Sequence, residues 1–261
     1  MSTHELAAAL VGWIGGGIVN YLADVLPTVR RLSRPICPDC RETRRWQDVI
    51  LPQACRSCGR GRWLRAWLVN LFLAGFSLYL WTSPPASLGF WPSWIALLYF
   101  ATVFVIDFEH RLILHSTSLF GFGLALWIGN LRQGWTATLL GGLAGFGIVI
   151  MLYLLGMVFT RLRARRLQAA NLEPDDEEAF GAGDVILATI LGLMLGWPLA
   201  WFGLLFGILL GGVVSAVLLV ILWLSGRFHP WATFIPFGPF FLTSAFLILY
   251  APQLVRFLVP K

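Results

Sequence analysis

Charge is scarce in this chain. Only 12% of its 261 residues are Asp, Glu, Lys or Arg, 58% are hydrophobic, and the mean hydropathy is +0.76. That leaves too little polar surface to coat a soluble globule, so the composition predicts a polytopic membrane protein. Other absences narrow the reading further. No segment repeats and none is of low complexity, which excludes a repeat array. No cysteine lies outside 37–58, which excludes a disulfide framework spread through the chain. No basic stretch precedes the first apolar run and positive charge follows it, so that run is expected to be a retained helix rather than a cleaved signal. His110 and His115 are spaced too widely for the i, i+4 ligand pair of a metalloprotease helix, and no Ser or Cys falls in an obvious triad pattern.

Apolar runs of roughly 20 residues, the length that crosses about 30 Å of hydrocarbon as a helix, fall at about 5–26, 66–82, 88–106, 113–131, 136–160, 184–198, 200–225 and 234–257. The expected fold is therefore all-α, with about eight transmembrane helices. The sixth run is short and is parted from the seventh only by Gly196, Trp197 and Pro198, which leaves one bent or re-entrant segment open there. Most arginines sit in the 27–65 stretch and in alternate loops on the same side; Arg132, Arg256 and Lys261 fall on the other. By the positive-inside tendency the basic loops face the cytoplasm and both termini lie outside. That topology accounts for the formal charge of +6 and removes the need for a nucleic-acid partner. The expected organisation is a first transmembrane helix at 1–26, a cytoplasmic loop domain at 27–65 and a membrane domain at 66–261.

All four cysteines lie in that loop, as CPDC at Cys37 and Cys40 and CRSC at Cys55 and Cys58. Two CxxC pairs at this separation suit four thiolates converging on one zinc ion, a zinc-ribbon-like arrangement. Two disulfides are the alternative, disfavoured by a reducing cytoplasm. Four protein ligands leave zinc no open position, so such a site is structural. Arg44 and Arg45, between the pairs, read as solvated charges.

Of only 13 acidic residues, two stand out at membrane boundaries. Asp107 lies in FVIDFEHRLI at the end of the third span, and Asp184 follows Gly181, Ala182 and Gly183 at the start of the sixth. The chain crosses the membrane twice between them, so both carboxylates are expected at one face. Two close carboxylates share a proton, one acting as base on water and the other donating to the carbonyl, which is aspartyl-protease chemistry. Gly181 and Gly183 lack side chains and would let an extended substrate backbone approach Asp184. The competing expectation is that Asp184 merely caps a helix and that Asp107 is a solvated turn residue beside Glu109, His110 and Arg111. The acidic run EPDDEE at 173–178, just before this element, suits a basic peptide or is simply a solvated loop.

The N-terminal GGGIVNYLADVLP, the two CxxC pairs, IDFEHRLI and EAFGAGDVIL, in that order, resemble the type IV prepilin peptidases, a family of membrane aspartyl proteases. The resemblance implies that Asp107 and Asp184 are the catalytic pair and that the substrate is a prepilin or pseudopilin with a basic leader, as in type IV pilus and type II secretion systems. It also implies a protein of the bacterial inner membrane, embedded in the lipid bilayer with its active site facing the cytoplasm. For bifunctional members it implies methylation of the new amino terminus with S-adenosylmethionine. The chain departs from the family pattern at Ile113, Leu114 and His115, at Val185 and Ile186, and at Ala66, Trp67 and Asn70, where the family commonly has a Tyr-Pro pair and then a glutamate. A reading of a different class is a non-enzymatic membrane assembly or transport component whose zinc loop binds a cytoplasmic partner.

Overall fold

The structure, a computed structural model, describes residues 3–59, 63–169, 181–225 and 237–254, with the side chains of 159 and 162–169 left aside. The acidic run at 173–178 falls outside the described residues. Eight α-helices and a short 3-10 turn make up the regular structure among those residues, with no strand beyond one isolated bridge between Ile36 and Thr43. The helices are α1 (Thr3–Val29), α2 (Trp46–Ile50), α3 (Trp63–Thr82), α4 (Phe90–His110), α5 (His115–Ala169), α6 (Ala182–Leu195), α7 (Leu199–Leu224) and α8 (Gly238–Tyr250).

Five helices among the described residues, α1, α3, α4, α5 and α7, are long and apolar enough to cross a membrane. The chain is thus a multi-pass membrane protein. The α5 helix is broken at Gly134, whose φ of 79° and ψ of 169° are not helical. This φ lies where L side chains are strained, and glycine adopts it without cost. The break falls in the gap between the expected spans at 113–131 and 136–160. The α6 and α8 helices have 14 and 13 residues, about 21 and 20 Å of helix at 1.5 Å per residue, shorter than the hydrocarbon layer. Gly196, Trp197 and Pro198 do separate α6 from α7. The α4 helix runs past the expected end of the third span, so Asp107 lies within its last turn rather than beyond it.

The chain forms two compact units, Met1–Gly121 and Phe122–Lys261. In the first, α1 packs along α3 through glycine. A Cβ on Gly12 would meet Leu73 O and Ser77 Oγ, and one on Gly16 would meet Asn70. The two backbones therefore approach as closely as small-residue interfaces allow. Asn70, with no exposed surface, and Asn20, 2% exposed, then sit between the helices. Asn20 Nδ2 donates to Asn70 Oδ1 at 3.0 Å and to Ala66 O at 3.2 Å, while Asn70 Nδ2 donates to Ile50 O at 3.2 Å. Trp13 Nε1 donates to the same Ile50 carbonyl at 3.0 Å. One carbonyl at the end of α2 thus fastens the cysteine loop to both α1 and α3.

The second unit also packs through glycine. Beyond its break, α5 presents Gly141 and Gly145 to Ala188 and Gly192 of α6, where an added Cβ on any of the three glycines would strike backbone. On α7, Gly203 and Gly207 make the same allowance for side chains of α6 and α8, including Leu195, Ile248 and Phe241. The α6 helix is consequently buried along almost its whole length, with Val185, Leu187, Ala188 and 190–195 all inside. Arg132 Nη1 donates to Met194 O at 3.1 Å, satisfying a terminal carbonyl of α6.

Candidate active site and metal centre

The four cysteines come together. Their Sγ atoms all lie within 4.8 Å of one another, with Cys37 to Cys58 at 3.8 Å and Cys40 to Cys55 at 3.7 Å. A disulfide requires about 2.05 Å, and all four are free thiols. Tetrahedral zinc–thiolate coordination at about 2.3 Å places sulfurs about 3.8 Å apart, so the donor set fits a metal ion such as zinc. The backbone explains the convergence. In each CxxC turn the residue four places after the first cysteine donates its N–H back to that cysteine's carbonyl: Arg41 to Cys37 at 2.9 Å and Gly59 to Cys55 at 2.9 Å. Both donors are left-handed, with φ of 59° and 66°. For Arg41 this conformation costs about 1–2 kcal/mol relative to a right-handed one, and the surrounding turn must supply that.

The thiols also compete for charge. Backbone N–H groups of Cys58 and Ser57 hold the Cys55 thiol down at about 6. At Cys40 a hydrogen bond from the Glu42 backbone acts in the same direction, but desolvation and the thiols of Cys37, Cys55 and Cys58 outweigh it and push the group up to about 12. Four thiolates this close cannot all ionise without a cation among them.

Arg44 is not the solvated charge expected of it. Its Nη2 donates to Asp48 O at 2.9 Å and Gln53 O at 2.6 Å, so the guanidinium ties the turn after α2 back onto the loop. Arg45 is exposed as expected.

Where α1, α3 and α4 meet in this unit lies a charge cluster that the sequence alone did not single out. Arg65, near the start of α3, donates Nη2 to Asp24 Oδ1 of α1 at 2.8 Å and Nη1 to Glu109 Oε2 of α4 at 2.9 Å. The three side chains are 14%, 9% and 18% exposed respectively. In the sequence Arg65 reads as one more positive-inside arginine, and Asp24 as a residue inside the first apolar run. The available signal was the presence of that carboxylate within the run at all.

Asp107 is 4% exposed and so is not a solvated turn residue. Its carbonyl accepts the N–H of Arg111, whose φ of 54° closes α4 with a left-handed cap. Asp184, in the other unit, is the third residue of α6, and the N-cap is Gly181. The carboxylate of Asp184 accepts the Gly181 backbone N–H at 3.1 Å, one half of a capping box. Asp184 is thus not the N-cap expected of it but reaches back from the third position with one carboxylate oxygen, at a helix terminus whose dipole favours negative charge. Gly181 has an ordinary extended backbone, with φ −88° and ψ 155°. A Cβ there would meet nothing closer than 3.9 Å, so neither backbone strain nor crowding within the chain calls for glycine at this position. Gly183 lies within the first turn of α6.

Residues 94–216 match the model of the type IV leader peptidase family. The match covers just under half of the chain, and over that segment the chain is similar to the family. The matched segment contains Asp107, Gly181, Gly183 and Asp184, and excludes the cysteine loop, Asp24 and Arg65. No curated protein and no solved structure gives a significant match to the chain. The resemblance to the prepilin peptidases thus rests on the leader peptidase match, which implies a protease, prepilin-type substrates and a membrane setting.

Proposed function

We propose that this protein is a membrane aspartic endopeptidase that removes the basic leader from prepilin or pseudopilin precursors at the cytoplasmic face of the inner membrane. The family match across 94–216 carries this reading, because that segment contains both boundary aspartates. The same match favours an enzyme over a non-enzymatic assembly or transport component. In the proposed mechanism Asp107 and Asp184 act on one peptide bond and hold one proton between them. The ionised member takes a proton from water as the oxygen attacks the scissile carbonyl, and the protonated member donates to the carbonyl oxygen. The open space over Gly181 suits the approach of an extended peptide, and Gly183, in the first turn of α6, is assigned the same role. Eight crossings complete the proposed topology, with the two segments of α5 on either side of Gly134 counted separately and α6 and α8 as short spans.

Zinc at Cys37, Cys40, Cys55 and Cys58 is proposed as structural. Its four thiolate ligands would fix the loop fold and leave no coordination position for chemistry. S-adenosylmethionine is a different case. Where the resemblance leads to a glutamate, Asn70 is fully buried and its amide is bonded to Asn20 and Ile50. That position offers no acidic group, so methyl transfer is left out of the proposed activity.

The test is cleavage of a prepilin by the purified full-length protein, with the products weighed in the presence and absence of S-adenosylmethionine. Asp107→Asn and Asp184→Asn should each abolish leader removal while abundance in the membrane stays close to that of the parent. Cleavage within roughly tenfold of the parent, a change of only about 1.4 kcal/mol in the barrier, in either variant would sink the assignment. Inhibitors of serine and cysteine proteases should have no effect.

A further inference from the structure

Glu109 and Asp107 are two residues apart on α4, about 200° around the helix axis at 100° per residue. With Glu109 held by Arg65, Asp107 is turned to the opposite side of the same last turn. The rotation of this turn therefore decides where the Asp107 carboxylate points, and the Arg65 bond to Glu109 at 2.9 Å is a fixed point on it. The other arm of the guanidinium reaches Asp24 on α1 at 2.8 Å, so one planar group joins three helices. Arg65 also follows the last cysteine by only seven residues, which places it where the cysteine loop enters α3.

We propose that Arg65 is a positioning residue for Asp107: its guanidinium, forked between Asp24 and Glu109, sets the rotation of the last turn of α4. The proposal rests on the peptidase reading of Asp107. The fork needs a planar group with two donors in fixed directions. Lysine offers a single ammonium that reaches one carboxylate well and the other poorly. Removing the cation altogether leaves two largely buried carboxylates without it, and the α4 turn is then free to rotate away from them. Misplacing a reacting group by about 1 Å costs turnover by up to roughly a hundredfold.

Prepilin cleavage by the full-length protein tests this, with kcat and KM measured separately. Melting temperature and metal content serve as controls for folding. Arg65→Met should lower kcat at least roughly tenfold with KM within about twofold, the pattern of a lost transition-state geometry rather than lost binding. Arg65→Lys should fall between Arg65→Met and the parent. Glu109→Gln, which keeps the side-chain shape, should also lower kcat. The Arg65→Met, Glu109→Gln double variant should be no slower than Arg65→Met alone, because both changes break one linkage. Parent-like kcat in Arg65→Met, or losses that multiply in the double variant, would overturn the positioning role while an inactive Asp107→Asn leaves the peptidase reading standing. Parent-like cleavage by Asp107→Asn would remove that reading and this proposal together.

Discussion

The two compact units solve the same problem, helix packing in an apolar solvent, by different means. Met1–Gly121 is fastened at one end by polar groups: the Asn20–Asn70 pair, the Ile50 carbonyl shared by Trp13 and Asn70, and the Arg65 fork. In Phe122–Lys261 the described contacts between helices are largely backbone against backbone or side chain, allowed by Gly141, Gly145, Gly192, Gly203 and Gly207. Lipid supplies little hydrophobic drive between helices, so close packing and buried hydrogen bonds are the two remaining sources of cohesion. The unit with the cysteine loop uses both, and the other relies mainly on close packing. A polar fastening is directional and registers one group against another. A glycine interface gives area of contact, and any added atom disrupts it.

That contrast can be broken from either side, and the largest effect is expected at the metal site. The parent should carry one zinc per chain. Cys55→Ser should lose most of it, because metal binding and local folding are a single event in sites with so little core. Amide exchange should rise across the cysteine loop and leave α6 protected. Protein purified without chelators that holds no zinc, or two mapped disulfides, would end the metal assignment. Acidification should release the metal, since binding requires deprotonated thiols and protons compete for them.

Next comes overpacking of the glycine interface. Gly192→Leu would drive a side chain into the Gly141 carbonyl, with an expected cost of about 3 kcal/mol or more. The exchange pattern should be the mirror image of that for Cys55→Ser: loss of protection in α6, with zinc content unchanged. Retention of both would show that the second unit is looser than its contacts suggest.

Smaller effects sharpen the comparison within the first unit. Asn70→Leu leaves the Asn20 amide with one acceptor fewer and Ile50 O with one donor fewer, which should cost about 1–3 kcal/mol. It should loosen α1 from α3, measurable as a lower melting temperature with zinc retained. Arg44→Met removes two hydrogen bonds to backbone carbonyls at a half-buried position, and about 1 kcal/mol is expected. Its signature should be faster exchange of zinc with a chelator rather than global unfolding.

The sequence was most legible where spacing along the chain controls spacing in space. Two CxxC turns build the same local geometry wherever they occur, so the geometry of each cysteine pair follows from its positions, and their suitability for one zinc ion led to the expectation that the pairs converge. The helix break at Gly134 and the end of α6 at Gly196 were likewise visible as gaps between apolar runs. Arg44 and Arg65 were read as topology charges because the positive-inside tendency explains any arginine in such a loop equally well. It does not distinguish one that points into water from one that bonds across 44 residues, as Arg65 does to Glu109.

Composition and local pattern by themselves determined that this chain is helical and membrane-embedded, that its cysteines form one cluster, and that Asp107 and Asp184 stand at the ends of apolar segments. These depend on hydrophobicity and on short-range spacing, which the order of residues specifies directly, with the two cysteine pairs meeting across 15 and 21 residues through their shared suitability for one metal ion. Only the tertiary structure decided that Asp107 is buried and that Arg65 links Asp24 to Glu109. It alone decided that Asn70 is consumed by Asn20 and Ile50, and that α6 is enclosed by glycine-lined neighbours. Each of these depends on which helix faces which and at what rotation, and that is fixed by close packing and paired polar groups far apart in the chain.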